Sequence, residues 1–195
     1  MLKFGSSEVK KVLFNGNDCK TVKFNGNVVF NSETVKFKVT LRFDSTYVSG
    51  KSGGYDQCGE TYGWVEVNYD NKVTASVTAN KSISSWSIKF NGNLEAWIEG
   101  WQSASSHKTL LSSGSTLTSS SPASSVKRQY FYTRTDYQDS GQIYRLFYPG
   151  NCTITINFTD GTSVTHTYSF GWVKSDYDTY LYNKTLYADS GEIPV

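Results

Sequence analysis

One phrase, a Val or Ile followed after one residue by Phe-Asn-Gly-Asn, occurs three times in this chain of 195 residues, at 12–17, 22–27 and 88–93. Asn-Gly between alternating apolar residues is the strongest short-range signal for a β-hairpin. A two-residue type I′ turn needs positive φ at both central positions, and Asn and Gly tolerate that conformation best. The sequence therefore predicts a hairpin turn at each of the three copies.

The first two copies lie close together and predict a small three-stranded meander, with strands near 9–14, 19–24 and 28–30. Strands this short bury too little apolar surface to offset the entropy lost when their backbone is ordered. We therefore expect the meander to dock on a partner. The side chains expected to form that interface are Val12, Phe14, Val22, Phe24 and Phe30. The sequence leaves open the alternative that the meander extends the sheet of the following domain.

The rest of the chain has the composition of an antiparallel β protein. Its 14 Tyr, 11 Phe and 5 Trp, against a single Met, favour strands over helices. Residues 35–43 alternate strictly between apolar and polar side chains, which predicts a half-buried strand. The predicted fold is all-β, with a small N-terminal β-meander at 1–33 as a docking appendage, followed by an antiparallel β-sandwich at 34–195. The Ser-rich residues 103–125 are expected to form a surface loop.

Inside the body, residues 44–63 contain many Gly and Ser and predict a long loop, followed by a hairpin around Asp70-Asn71. Residues 94–101 fit helical spacing, but the Asn-Gly turn before them favours a returning strand. The clearest hairpin combines the alternating strand 152–158 with the turn residues Asp160-Gly161.

Charge and cysteine content exclude several classes of protein. A net charge of +2 with 18% charged residues gives no concentrated basic face, so we expect no nucleic-acid partner. The N-terminus lacks the apolar run of a signal peptide and no stretch reaches transmembrane length, so we expect cytosolic synthesis and no membrane insertion. Three cysteines without a Cys-x-x-Cys pair predict free thiols, with Cys152 buried and Cys58 in a loop.

No motif in the sequence specifies catalysis. Gly50-Lys51-Ser52 lacks the upstream Gly and the following helix of a phosphate-binding loop. His107 and His166 have no His or Cys at metal-ligand spacing. Glu95 and Glu99 would be the carboxylate pair of a glycoside hydrolase, but only their presence supports that reading. We therefore expect no enzyme, no catalytic residues, no metal and no cofactor.

Aromatic residues are concentrated in the C-terminal half. Exposed aromatic rings serve as stacking platforms for sugars and as anchors at protein interfaces. The candidates for ligand binding are Tyr130, Tyr137, Tyr177 and Tyr180. The alternative is that these rings fill the core of the sandwich. An exposed row of rings would favour sugar binding, and burial against another chain would favour assembly.

Residues 5–31, about a seventh of the chain, resemble a segment at the start of virion proteins of tailed bacteriophages. In those proteins a short phrase, apolar-Lys-Lys-apolar-x-apolar-Asn-Gly-x, is duplicated, as it is here in the two copies that contain Asn15-Gly16 and Asn25-Gly26. One departure is Asp18-Cys19-Lys20, where an apolar residue is expected to open the second strand.

The resemblance implies a non-enzymatic virion structural protein, capsid decoration or tail/fibre-associated, attached through its N-terminal meander. Its partners would then be other virion proteins and further copies of itself as a homo-oligomer, and its location the virion after synthesis in the host cytoplasm. The alternative function is that of a carbohydrate- or receptor-binding β-sandwich, adhesin-like, whose C-terminal aromatics contact a host-surface glycan.

Overall fold

A computed structural model describes residues 34–100, 103–135, 142–176, 178–179 and 182–195, with shorter pieces before them at 3–4, 7–9, 12–15, 17–19, 21–25 and 27–31. Every regular element in these residues is a β-strand, so the predicted all-β class is confirmed. The strands are β1 (Lys3–Phe4), β2 (Ser7–Glu8), β3 (Leu13–Phe14), β4 (Asn17–Asp18), β5 (Thr21–Phe24), β6 (Asn27–Asn31), β7 (Lys36–Gln57), β8 (Glu60–Ala79), β9 (Ile83–Phe90), β10 (Leu94–Gly100), β11 (Ser103–Leu111), β12 (Thr116–Thr118), β13 (Ala123–Thr135), β14 (Gln142–Tyr148), β15 (Asn151–Phe158), β16 (Ser163–Ser169), β17 (Val173–Lys174), β18 (Asp178–Thr179), β19 (Lys184–Asp189) and β20 (Ile193–Pro194).

The N-terminal strands pair as successive antiparallel hairpins, β1 with β2, β3 with β4 and β5 with β6. Asn15 and Asn25 have φ values of 51° and 49°, which is the conformation required at the first central position of a type I′ turn. The first two Asn-Gly phrases therefore form the predicted hairpins. Among the described residues each turn joins two strands that pair with each other, and the two hairpins form separate sheets, which differs from the single three-stranded meander predicted for this region.

A long hairpin of β7 and β8 is the centre of the first layer of the body. Its register runs from Phe37 opposite Ala79 to Gln57 opposite Glu60. On either side of it, β13 pairs with β8, whereas β19 and β20 pair with β7. We call this layer, ordered β13-β8-β7-β19, the front sheet.

The loop predicted at 44–63 was wrong, because most of these residues are paired within the β7–β8 hairpin. Asp70 and Asn71 also lie inside β8 and not at a turn. Contacts across the strands explain the error. Gly53 lies under the indole of Trp64, so that a Cβ on Gly53 would be 2.7 Å from that ring. An aromatic ring that covers a glycine on the adjacent strand stabilises a strand that composition alone does not favour.

The remaining strands of the body form a second layer that bends in the middle. One half is ordered β12-β9-β15-β16 and the other β11-β10-β14-β17, with β18 also paired to β14. The register continues across the bend, since Leu94 pairs with Leu111 and, five residues along each strand, Lys89 pairs with Thr116. We call this layer the back sheet and treat its two parts as halves of one bent sheet.

The third Asn-Gly phrase lies in this bend and does not form a hairpin, so that prediction was wrong. β9 pairs with β12 and β15, whereas β10 pairs with β11 and β14. Asn91 donates its backbone N–H to the carbonyl of Asn151 at 2.8 Å and its Nδ2–H to the Oδ1 of Asn151 at 2.7 Å. These bonds tie neighbouring strands together at the bend. Residues 94–100 nevertheless form the strand that the sequence favoured.

The Ser-rich segment 103–125 was predicted to be a loop, and this was also wrong, since it contains β11, β12 and the start of β13. β11 and β12 are the outer strands of the back sheet on one side. Such strands need an apolar residue only where they face the core, and Leu110 and Leu117 supply it at 6% and 3% exposure. Backbone pairing with β10 and β9 stabilises the rest.

The front and back sheets enclose one hydrophobic core, which confirms the predicted β-sandwich. Phe43 of β7 stacks on Phe147 of β14, with ring centroids 5.1 Å apart. Phe37 of β7 meets His166 of β16 edge to face at 5.9 Å. The predicted hairpin of β15 and β16 is confirmed, and alternate residues of β15 are buried as expected.

Candidate binding surfaces

The first candidate surface is formed by two of the three described N-terminal hairpins, β3–β4 and β5–β6. Phe14 and Phe24, which end β3 and β5 just before the Asn-Gly turns, are 71% and 68% exposed. Val12 and Val22 are partly buried. Phe30 lies in β6, and its side chain is outside the described part of the chain. Two phenyl rings are thus presented to solvent at equivalent positions of two hairpins.

The second candidate surface is a shallow groove of about 250 Å³ on the outer face of the front sheet, lined by Ser49, Gly50, Lys51, Glu66, Asn68 and Tyr130. Tyr130 is 46% exposed there. The Nζ of Lys51 lies 3.0 Å from the Oε2 of Glu66 and 5.6 Å from the ring centroid of Trp64. The two charges in the groove are therefore paired with each other.

The pKa of the Tyr130 hydroxyl is raised, first by partial burial and then by the charge of Glu66 and a hydrogen bond to it. This phenol therefore stays protonated, as a donor, in neutral solution. Tyr137, Tyr177 and Tyr180, the other three predicted ligand-binding aromatics, lie outside the described residues.

The third candidate surface is an aromatic cluster on the outer face of the back sheet, which we call the Trp172 cluster: Glu95, Trp97, His107, Tyr148 and Trp172. Trp172 stacks on Tyr148 with centroids 4.4 Å apart and an angle of 20° between the rings. Trp97 meets Trp172 edge to face at 4.8 Å and lies 4.9 Å from His107. Trp172 is 47% exposed although two rings contact it.

Strand pairing brings the members of the Trp172 cluster together. Trp97 of β10 is opposite His107 of β11, and Glu95 is opposite Tyr148 of β14. Trp172 precedes β17, the next strand in the sheet. The Nε1–H of Trp97 donates to the Oε2 of Glu95 at 3.1 Å, and the Nδ1 of His107 lies 3.7 Å from the same oxygen. The rings are therefore held by neighbours on three strands.

A polar strip adjoins the Trp172 cluster on the same face. The Nζ of Lys174 lies 2.8 Å from the Oε2 of Glu99 and 3.8 Å from the ring centroid of Tyr144. Glu99 is thus paired with Lys174, and one oxygen of Glu95 accepts the hydrogen bond of the Trp97 indole. Among the described residues, no group of three or more His, Cys, Asp or Glu side chains is placed to hold a metal ion. The portion of the chain that the structure covers contains no membrane-spanning helix.

The aromatic residues that are concentrated in the C-terminal half of the sequence lie on two different sheets. Tyr130 lies on the front sheet, whereas Tyr148 and Trp172 lie on the back sheet with Trp97 and His107, which were not predicted to join them. The sequence of β10 did contain a pattern that places Trp97 on the outer face of the sheet. Leu94, Ala96 and Ile98 are buried, so the alternation of β10 places a tryptophan on the polar face of a strand.

The three cysteines are free, as predicted, and their environments differ. Cys58 is exposed at the tip of the β7–β8 hairpin, whereas burial raises the pKa of the Cys152 thiol to about 12. A thiol with so high a pKa stays protonated in neutral solution and reacts slowly. We therefore expect iodoacetamide at pH 8 to alkylate Cys58 in the folded protein while Cys152 stays unmodified, as measured by peptide mass mapping.

The same reagent applied to unfolded protein without a reductant provides the control. Three modified cysteines are expected. A stable disulfide in this experiment, or rapid alkylation of Cys152 in the folded protein, would contradict the assignment of free thiols in these environments.

Comparison of this chain with protein-family models, with curated proteins and with solved structures gave no match.

Proposed function

We propose that this protein is a non-enzymatic structural component of a tailed-bacteriophage virion, capsid decoration or tail/fibre-associated, and that it is attached through its N-terminal hairpins. Its partners are then other virion proteins, and it is carried on the particle after synthesis in the host cytoplasm. The observation that carries the proposal is the exposure of Phe14 and Phe24 beside duplicated turns, at 71% and 68%.

Energetics supports an interface at these rings. Burial of a phenylalanine side chain that was exposed contributes about 1.5–3 kcal/mol, so two rings supply a substantial part of an attachment energy. Two-stranded ribbons are only marginally stable by themselves, and contact with a neighbouring protein would stabilise them. The resemblance of residues 5–31 to the start of phage virion proteins points to the same end of the molecule.

The test is co-sedimentation of the purified protein with virions that lack it. The double variant Phe14→Ser and Phe24→Ser, which keeps both Asn-Gly turns, is expected to lose co-sedimentation because the apolar contact is removed. Tyr187→Ser is the matched control, since Tyr187 is 56% exposed on β19 of the body. We expect this control to sediment with particles as the unmodified protein does.

The outcomes separate the two parts of the proposal. If mass spectrometry of purified virions does not detect the protein, the virion assignment is wrong. If the protein is present and the double variant still binds particles, attachment lies elsewhere on the molecule and the role of the hairpins is wrong.

A further inference from the structure

The strongest unexplained feature of the body is the Trp172 cluster. A tryptophan on the outer face of a sandwich gains nothing from the core, and Trp172 keeps 47% of its surface in solvent. Exposed clusters of large aromatic rings usually mark binding sites. We propose that the Trp172 cluster binds a neutral saccharide, with Trp172 and Trp97 as the stacking surface and Glu95 as the hydrogen-bond acceptor. This proposal does not rest on attachment through the N-terminal hairpins.

The rings suit a pyranose because their faces carry partial negative charge. One face of a pyranose presents several C–H groups, which carry partial positive charge and pack flat on an aromatic ring. Trp172 is already fixed by Tyr148 at 4.4 Å and by Trp97 at 4.8 Å. A ligand that stacks on a fixed ring loses less free energy to the ordering of side chains.

Glu95 supplies the polar contact that a sugar needs. Its Oε2 accepts the Nε1–H of Trp97, and a carboxylate has a second oxygen that can accept further hydrogen bonds. The side chain is 21% exposed beside the rings, so a ligand at the surface can reach the carboxylate. Sugar hydroxyls are donors, and a bond to a carboxylate is one of the stronger hydrogen bonds available to them. His107, which is 59% exposed, adds a second polar group next to Trp97.

The charges around the cluster favour a neutral ligand over an anion. Lys174, the cation of the adjoining strip, is paired with Glu99 at 2.8 Å. Glu95 is the charged carboxylate of the cluster and the nearby Lys174 is already paired, so an acidic sugar would be repelled by Glu95.

The size of the cluster favours a saccharide over a second copy of this chain. Each partner of a stable protein interface contributes roughly 800 Å², whereas the cluster consists of four rings, of which Trp97 and Tyr148 are partly buried and Trp172 is 47% exposed. A protein partner would also bury the Glu95 carboxylate, which is unfavourable unless a donor meets it. A ligand of one to three sugar units matches both the area and the polar group.

The experiment uses the full chain and an array of immobilised neutral oligosaccharides of glucose, galactose, mannose and N-acetylhexosamines, two to six units long. The soluble form of any bound oligosaccharide is then titrated by calorimetry and by tryptophan fluorescence. We expect Trp172→Ala to weaken binding roughly tenfold or more, with loss of the fluorescence change. Glu95→Gln, which keeps the rings in place, is expected to weaken binding as well.

Tyr187→Ala is the matched control, because it removes an exposed ring from the front sheet, and its affinity should equal that of the unmodified protein. Circular dichroism checks that each variant is folded. The proposal is overturned if no oligosaccharide binds, if Trp172→Ala binds as well as the unmodified chain, or if only Tyr130→Ala loses binding, which would place the site in the groove of the front sheet. Concentration-dependent self-association that Trp172→Ala abolishes would instead assign the cluster to a second copy of the chain.

Discussion

Replacement of Gly100 with alanine is expected to lower the free energy of unfolding by about 1–3 kcal/mol, the usual range when an added methyl group overlaps neighbouring atoms. Gly100 ends β10 where the back sheet approaches β13 of the front sheet. A Cβ at Gly100 would overlap the carbonyl oxygen of Arg134 and lie 2.8 Å from its carbonyl carbon. Both atoms belong to the backbone, so relief requires a shift of one strand against the other.

Thermal and urea denaturation measure this effect, and a loss of that size corresponds to roughly 2–12 °C in Tm for a domain of this length. Gly92→Ala is the matched control, because Gly92 lies near the other end of β10 and a Cβ there meets nothing within 4 Å. Its Tm should change little. Equal stability of the Gly100→Ala variant and the unmodified protein would show that the two strands do not approach so closely.

Alternation was the most reliable guide to this fold because it is a property of one strand alone. In residues 35–43 the alternate positions Phe37, Val39, Leu41 and Phe43 are buried, each at 2% exposure or less. A strand with one apolar face can hide it only by turning it inward. The class and the inward faces were therefore predictable before any partner strand was known.

The three Asn-Gly phrases show that the local sequence does not always determine whether a hairpin forms. Asn15 and Asn25 have the positive φ of a hairpin turn, and the strands that flank each turn pair with each other. At Asn91 the flanking strands instead keep separate partners, and the amide of Asn91 bonds to Asn151, which is sixty residues away in the chain. Hydrogen bonds between residues so far apart in the chain determine the conformation at Asn91, and a prediction from a short segment cannot include them.

The Trp172 cluster could not be assembled from sequence for the same reason. Tyr148 and Trp172 are near enough in sequence to be considered together, but Trp97 and His107 join them only through the strand order β11-β10-β14-β17. That order repeats the order β12-β9-β15-β16 of the other half of the back sheet, because each strand of one half is adjacent along the chain to its counterpart across the bend. The sequence does not mark the bend, because its Asn-Gly phrase is the same one that forms hairpins elsewhere.

Arg145 is the largest fully buried side chain, and its removal is expected to be the most damaging single truncation in the described part of the body. It alternates with Ile143 and Phe147 on the inward face of β14, at 2% exposure. Its Nη1–H donates to the Oγ of Ser45 at 3.0 Å, and its Nη2–H donates to the carbonyl of Tyr182. The guanidinium carbon lies 4.4 Å from the ring centroid of Tyr69. One side chain thus joins the two sheets to the segment that leads into β19.

Arg145→Ala should therefore lower the free energy of unfolding by about 2–5 kcal/mol, since it leaves a cavity under Tyr69 and removes the donors of two hydrogen bonds. Urea denaturation followed by tryptophan fluorescence measures the loss. Arg145→Met is the matched control, because an unbranched apolar chain fills most of the same volume and avoids burial of a charge. We expect it to retain much of the stability that the alanine variant loses. An alanine variant that unfolds at the same urea concentration as the unmodified protein would rule out a structural role for the buried guanidinium. If the methionine variant lost as much stability as the alanine variant, the hydrogen bonds would matter more than the packing.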